Sequence, residues 1–495
     1  MKQKLQILGA DGRPVNREKA ERITLRRWEA AETNRLNSGH WSTVKSTSIN
    51  QDLRDWLDVL RTRSIHEAAN NPIVEGMIVT HITDMIGTSH PLLQVRGGSQ
   101  RYRNRLEEVW WDFWQSPDLN GQLSGSDLIS QWVRMLWLCG EFFTQIAVDQ
   151  QADTPIKTRL VNIHPRRIGT PAEDLNNAQT ALGIDLTNLG KPVNYHVADV
   201  PANDLIVNAF MTFKNVPAAD MIHGFRIDEP GQIRGTPWLA CALQVIADLR
   251  DYEAQVLDAA RAAADSGVML TTTDPRVEPI VVDASVEIER RMMQTMPPGW
   301  NATQLTPTQP AANYIEYRKD KLSEIARMIC MPLMMVRLDS REHSFSSARF
   351  DSQLYWRYIA MQQAWMERRA LNRLVDRVAR EAQLVGLLPA KGASVYYEWT
   401  WPPRPQVNPV QEEDAEASRL SQTCTGTYQE ACARDGRDWQ KQLEQRVVER
   451  DAFKAMGMPY PGEIAKAPKP APNQQQQPDP QAQDAPAGKV VKDDE

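Results

Sequence analysis

The chain has 495 residues, 41% hydrophobic and 24% charged, with a formal net charge of -6. That length exceeds what a single core organises, so more than one domain is expected, and the composition is that of an ordinary folded protein rather than a disordered one. The negative balance excludes a protein that clings to nucleic acid by broad phosphate neutralisation, yet it suits a wall along which a duplex slides without being held.

No uncharged apolar run reaches the roughly 18 residues needed to span a bilayer. The best candidate, Pro72 to Gly87, is interrupted by Glu75, His81 and Asp84. Met1 to Val15 lacks the apolar stretch of a secretory signal, so synthesis in the cytoplasm is expected and the sequon at Asn301-Ala302-Thr303 carries no meaning. Cys139, Cys241, Cys330, Cys424 and Cys432 are scattered, odd in number and never spaced as CxxC, which points to packed free thiols.

Residues 1 to about 50 mix arginines with glutamates and read as a solvated arm. From Gln51 the pattern turns helical, with Leu53, Trp56, Leu57 and Leu60 on one face, and Asn71-Pro72 breaks it before a second helix that Gly87 ends. Asn104 to Trp114 and Ser126 to Cys139 are two more amphipathic helices. Their Trp110, Trp111, Trp114, Trp132 and Trp137 fall at helical spacing, which favours core packing over base stacking. Phe142 to Val148, Thr158 to Ile163, Val193 to His196 and Met221 to Phe225 are short, partly alternating runs that read as strands.

The pattern changes at Gly235. Thr236 is placed to cap a helix with Pro237 at its first position, and Leu239, Leu243, Ile246, Leu249, Tyr252, Val256 and Ala260 mark its apolar stripe. With no break before Gly267, a rod about 45 Å long is expected. Short β-like runs at Val268-Met269-Leu270 and Pro279 to Val282 form an excursion before a second helix, Asn313 to Cys330, which Pro332 stops. A polar loop, Val336 to Phe345, leads into an unbroken helix from Ser347 to Val385, about 60 Å long, with Phe350, Leu354, Tyr358, Met361, Trp365, Leu374 and Val378 as its stripe. Such a length suggests that part of it packs on a neighbouring subunit. Val395 to Trp401 reads as a strand ended by Pro402-Pro403, Val407 to Met456 as further helices, and Lys466 to Glu495 as a disordered Pro/Gln/Ala-rich tail.

Catalytic signatures are missing: there is no GxxxxGK[ST], HExxH, GxSxG or GxGxxG string. Ser42-Thr43-Val44-Lys45 matches SxxK formally, but no SDN or KTG follows. His164 beside Arg166 and Arg167 reads as a turn with solvated arginines more readily than as a phosphate contact, and no metal-ligating cluster is evident.

Against that background, the chain resembles the lambda family of bacteriophage portal proteins. The likeness rests on Leu60-Arg61-Thr62-Arg63 with Asn70-Asn71-Pro72, on Val161 to Arg167, on Ile222-His223-Gly224-Phe225, and on Gln232 to Leu239. It continues through Ile325-Ala326-Arg327, Met331-Pro332, Tyr397-Glu398-Trp399 and Asp435 to Trp439. The resemblance implies an α+β portal fold: a wing at 51-235, stem helices at 236-266 and 313-330, and a β-containing clip at 267-312. A channel loop at 331-346, a long wing helix at 347-385, a wing strand and turn at 386-406 and a helical crown at 407-460 complete it.

It also implies a non-enzymatic ring of about twelve copies at one capsid vertex, without cofactor, metal or membrane. Its partners would be double-stranded DNA, the terminase large subunit, head-tail adaptor proteins, and the major capsid or scaffold protein. Arg337, Arg341, His343 and Ser344, with Asp339 and Glu342 diluting their charge, are expected to face DNA in the channel loop; ordinary solvated loop charges are the competing reading. Arg349, Arg357, Arg368 and Arg369 on the long helix are expected at a subunit interface or in the channel. A structural adaptor without a channel, or a nucleic-acid enzyme with an unrecognised site, are the alternatives that electron microscopy and activity assays would separate.

Overall fold

The computed structural model describes residues 46-87, 91-199, 211-264, 268-272, 300-304, 314-341, 343-392, 394-403, 409-421 and 426-460. The first 45 residues with their SxxK tetrad, the run at 279-282, Cys424 and the tail from 466 lie outside the described residues. The chain divides into two compact units, residues 1-407 and 408-495.

In the first unit, helix α1 (Ile49–Asn70) is capped by Ser48, and Asn71 separates it from α2 (Pro72–Ile86). The Asn71 side-chain oxygen accepts from the Ile73 and Val74 amides, and Pro72 occupies the first helical position, where no N–H is needed. Strand β1 (Leu92–Gly97) and helices α3 (Gln100–Gln115) and α4 (Gly125–Cys139) follow. Ser124 and Asp127 cap α4 reciprocally, and Gly140 ends it at a φ of 81°.

The aromatic residues of α3 and α4 are core, as their spacing predicts: Trp110 stacks on Trp114 with centroids 4.7 Å apart, Trp132 stacks on Phe142 at 4.9 Å, and Trp137 is fully buried. Trp111 and Trp56 depart from that expectation. Both are exposed, Trp56 on the outer side of α1 while Leu53 and Leu57 point inward.

Strand β2 (Glu141–Val148) is the centre of a three-stranded antiparallel sheet between β3 (Thr158–Ile163) and β8 (Met221–Phe225). A second sheet has the order β4 (Thr180–Ala181), β5 (Ile184–Leu186), β6 (Pro192–Ala198) and β7 (Phe213–Pro217). Strands β4 and β5 are too short to leave an alternating pattern, which is why the sequence alone does not reveal them. β1 pairs antiparallel with β11 (Val395–Thr400), from Leu92 opposite Thr400 to Gly97 opposite Val395.

The helix expected from Thr236 begins later in the structure. Thr236 does not cap it; residues 238-241 make a single 3-10 turn behind an extended Pro237, and α5 runs from Leu243 to Ala264. The cause is the tight seat of Gly235 against Gly140, which keeps the chain extended through the position where a cap would form: a Cβ on Gly235 would lie 2.1 Å from the Gly140 carbonyl oxygen. At roughly 1.5 Å per residue the helix is about 33 Å long rather than 45 Å.

Strands β9 (Val268–Thr272) and β10 (Trp300–Gln304) pair antiparallel, and α6 (Tyr314–Ala326) ends in a 3-10 turn at 327-329. The loop after it contains a short helix, α7 (Leu333–Arg337). Helix α8 (Phe345–Met366) passes through a π-helical turn at Glu367–Leu371 into α9 (Asn372–Leu384) without leaving helical backbone, a rod of about 60 Å. Alternate side chains of β11 and the residue after it dock along this rod. Tyr397 donates to Asp376 at 2.8 Å, Trp399 to Asn372 at 2.8 Å, and Trp401 to Glu367 at 2.6 Å.

The second unit comprises α10 (Pro409–Ser421), α11 (Tyr428–Arg434) and α12 (Trp439–Ala455). Thr427 and Glu430 form a capping box on α11, and Asp438 caps α12. Among its described residues only Cys432 is buried, while Leu443, Val447 and Val448 of α12 are exposed.

Candidate functional site

The expected channel loop folds around one carboxylate. Asp339 accepts from Arg337 Nη2 at 3.2 Å, from Arg341 Nε and Nη2 at 2.9 Å each, and from the Arg341 amide at 3.2 Å. The Arg341 hydrogen bonds, then the charge of both arginines, hold the Asp339 carboxyl well below the usual carboxylate range. Leu338 between them takes the left-handed backbone conformation at a φ of 49° and leaves its side chain 86% exposed. Arg341 projects outward, whereas Arg337 is largely covered.

His343 is half-buried, its amide donating to the Ser340 carbonyl at 3.2 Å. Ser344 has a local task, since its Oγ accepts from the Ser347 amide at 3.2 Å and so starts α8. The structure therefore brings Arg337 and Arg341 together and places Ser344 in a cap.

Along the rod, the arginines divide. Arg373 donates to the carbonyls of Met221 and Ala219 at 2.7 Å, and Arg377 pairs with Asp220 at 3.6 Å, so these two serve the chain's own β7–β8 connection. Arg357 and Arg368 are exposed; Arg349 and Arg369 are half-buried. The apolar stripe holds at Leu374 and Val378, which are buried, and at Tyr358 and Trp365, which pack against the core, but not at its other positions. Tyr355, Ile359 and Met366 are completely buried, while Phe350, Leu354 and Met361 are 61%, 43% and 57% exposed. Helix α8 thus carries a second apolar face that the described residues of its own chain leave exposed.

Sequence reasoning missed the polar centre of the first unit, Glu141. This carboxylate is completely buried at the start of β2. Its Oε1 accepts from Arg61 of α1 and from Arg234 Nε at 2.7 Å; its Oε2 accepts from His223 Nε2 of β8 and from the Gly235 amide, each at 3.0 Å. Arg234 further donates to the carbonyls of Leu182 at 2.5 Å and Pro165 at 3.1 Å.

Burial alone would raise the Glu141 pKa, but Arg234 and Arg61 outweigh burial and hold it well below the usual range. Burial lowers the His223 pKa in spite of Glu141, and its Nδ1 lies 3.4 Å from the Tyr195 hydroxyl. The available signal was a lone acid inside the apolar run Leu136 to Val148, a pattern that demands buried partners. Residues from four of the motifs quoted above, Arg61, Pro165, His223 and Arg234, converge here.

Among the described residues no group of His, Cys, Asp and Glu could hold a metal ion, and no helix is long and apolar enough to cross a membrane. Residues 34-363 match the model of the lambda family of phage portal proteins, and the chain belongs to that family. It is 20% identical over 414 residues to portal protein B of Escherichia phage lambda, covering 74% of this chain and 77% of that protein.

Among solved structures it is similar to a chain in the virion of a native gene transfer agent particle, with 14% identity, 77% and 93% of the two chains covered, and a TM-score of 0.44. An HK97 family phage portal protein from Corynebacterium diphtheriae gives 12% identity, 71% and 96% coverage, and a TM-score of 0.31.

Proposed function

We propose that the chain assembles head-to-tail into a closed ring of about twelve copies at one vertex of the capsid, and that double-stranded DNA passes through its bore during packaging and ejection. The match to the portal family across residues 34-363 carries this reading. The uncovered apolar face of α8 supports it, because a ring supplies the neighbour that such a face needs. In this reading the ring is made in the host cytoplasm and then resides in the virion. It docks the terminase large subunit, which hydrolyses ATP, then head-tail adaptor proteins, and meets the major capsid or scaffold protein at its rim.

The loop chemistry fits transient contact with DNA. Two arginines share one carboxylate, and that pairing dilutes the positive charge the loop would offer a phosphate, which favours passing contact over retention. Arg357 and Arg368, exposed on the rod that carries the uncovered apolar face, would serve the subunit interface rather than DNA, whereas Arg369 lies close enough to His223 and Tyr195 to act on them within its own chain.

Electron microscopy of the purified protein, with a mass measurement, tests the ring: a particle of many subunits with an axial opening is expected, and a stable monomer or a closed centre refutes it. Replacing Arg337 and Arg341 together by alanine should leave rings intact and impair packaging or retention of DNA. Normal filling and retention would remove the loop from the mechanism.

A further inference from the structure

We infer that the buried joint around Glu141 aims the first stem helix, and thereby selects how many subunits close the ring; this rests on the ring reading above. Four separate parts of the first unit meet at one carboxylate: Arg61 from α1, Glu141 from β2, His223 from β8, and Arg234 with the Gly235 amide from the segment that becomes the stem. Both carboxylate oxygens are occupied by donors from different elements, so the position of Gly235 is fixed in more than one direction.

Steric contact fixes it further. A Cβ on Gly140 would meet the Thr236 carbonyl carbon at 2.2 Å, and one on Gly235 would meet the Gly140 oxygen at 2.1 Å, so two backbones touch where the stem leaves the wing. Farther along the chain, Arg250 of α5 pairs with Glu67 of α1 at 2.7 Å, which ties the stem helix itself to α1. A core needs none of this. Burying two arginines and a carboxylate typically adds little net stability compared with an apolar cluster, whereas it does specify one geometry.

The sensitivity of ring closure makes that geometry consequential. Neighbours turn by about 30° in a ring of twelve and about 28° in a ring of thirteen, so a change of a few degrees at the base of the stem suffices to admit a different count. Glu141 and its donors therefore act as positioning residues: they set where the next subunit is met without touching DNA.

The experiment compares two conservative variants, Arg234→Lys and His223→Gln, with a core control, Ile129→Ala, chosen because Ile129 is fully buried in α4 away from the joint. Arg234→Lys keeps the charge and loses the fork; His223→Gln keeps a donor but not the ring that fixes its direction. Each protein is assembled and its rings counted by native mass spectrometry, alongside thermal unfolding. The expected result is a several-fold rise in rings of minority subunit number for both joint variants, with the control retaining the parental distribution at an equal or greater loss of melting temperature. A parental distribution in the joint variants, or an equal broadening in the control, overturns the inference. Failure of the unaltered protein to form rings at all would remove both this inference and the ring reading, an outcome distinct from the other two.

Discussion

His81 gives the sharpest test of how the helical core is built. It is completely buried in α2, its Nδ1 accepts from Trp137 Nε1 at 2.8 Å, and the rings of Trp137, Trp238 and Tyr358 lie 5.8, 5.7 and 6.0 Å from its own. Burial pushes its pKa down from 6.5 to about 3. Between those values the unfolded chain binds a proton that the folded chain refuses, so stability rises with pH through this window and is lost as pH falls from 6.5 toward 3. At pH 5 the linkage amounts to about 2 kcal/mol relative to neutral pH.

Asp84 on the same helix works in the opposite direction, since burial raises its pKa and acid relieves it, so the total pH dependence alone does not isolate the histidine. His81→Gln does, because glutamine keeps an acceptor for the Trp137 N–H and does not titrate. Chemical denaturation of both proteins at pH 7.5 and pH 5 should show the parent losing about 2 kcal/mol more than the variant on acidification. Equal losses would mean that His81 does not remain neutral in its pocket, and the packing argument would fail.

Two other substitutions follow from the same geometry. Gly235→Ala should destabilise by about 3 kcal/mol, because its Cβ has no space between the Gly140 carbonyl and Phe225, whereas Gly76→Ala in the middle of α2, with nothing within 4 Å of the new methyl, should stabilise by up to about 1 kcal/mol; denaturation midpoints that rank the two in the other order would refute the contact. Leu354→Glu with Met361→Glu should change the stability of the isolated subunit by less than about 0.5 kcal/mol, since both side chains already face outward, while abolishing rings in sedimentation. Rings that persist would show that this face is not between subunits.

Much of the helical architecture was legible because its signals are local. Asn71-Pro72, Gly140 and Pro332 punctuate the chain through backbone rules that act within a few residues, and the structure places helix boundaries at each of them. The strands of the β3-β2-β8 sheet were legible for the same reason. β1 was not, because its reason for being a strand is β11, almost the whole length of the first unit away in sequence. Thr236 misled for a related cause: its credentials as a cap are sound in isolation, and the contact that overrules them comes from Gly140, nearly a hundred residues earlier. Glu141 shows the limit most clearly. Nothing adjacent to it announces Arg61, His223 or Arg234, and only the fold brings four distant fragments onto one carboxylate.

Helix α8 poses the converse problem, and its answer bears on function. Periodicity reports that a face is apolar; it cannot report which molecule covers it. Phe350, Leu354 and Met361 satisfy the helical spacing rule and yet lie outside, while Tyr355, Ile359 and Met366 occupy the interior. A helix apolar on both sides costs solubility if its chain acts alone, because the outer stripe from Phe350 to Met361 meets water over about 17 Å. Arg357 and Arg368 are exposed on the same rod, and under the proposed ring they would supply charge for pairing across the contact. The outward stripe of one subunit is therefore what the proposed head-to-tail ring would require of every subunit: one face packed on its own core, the other left for the next copy.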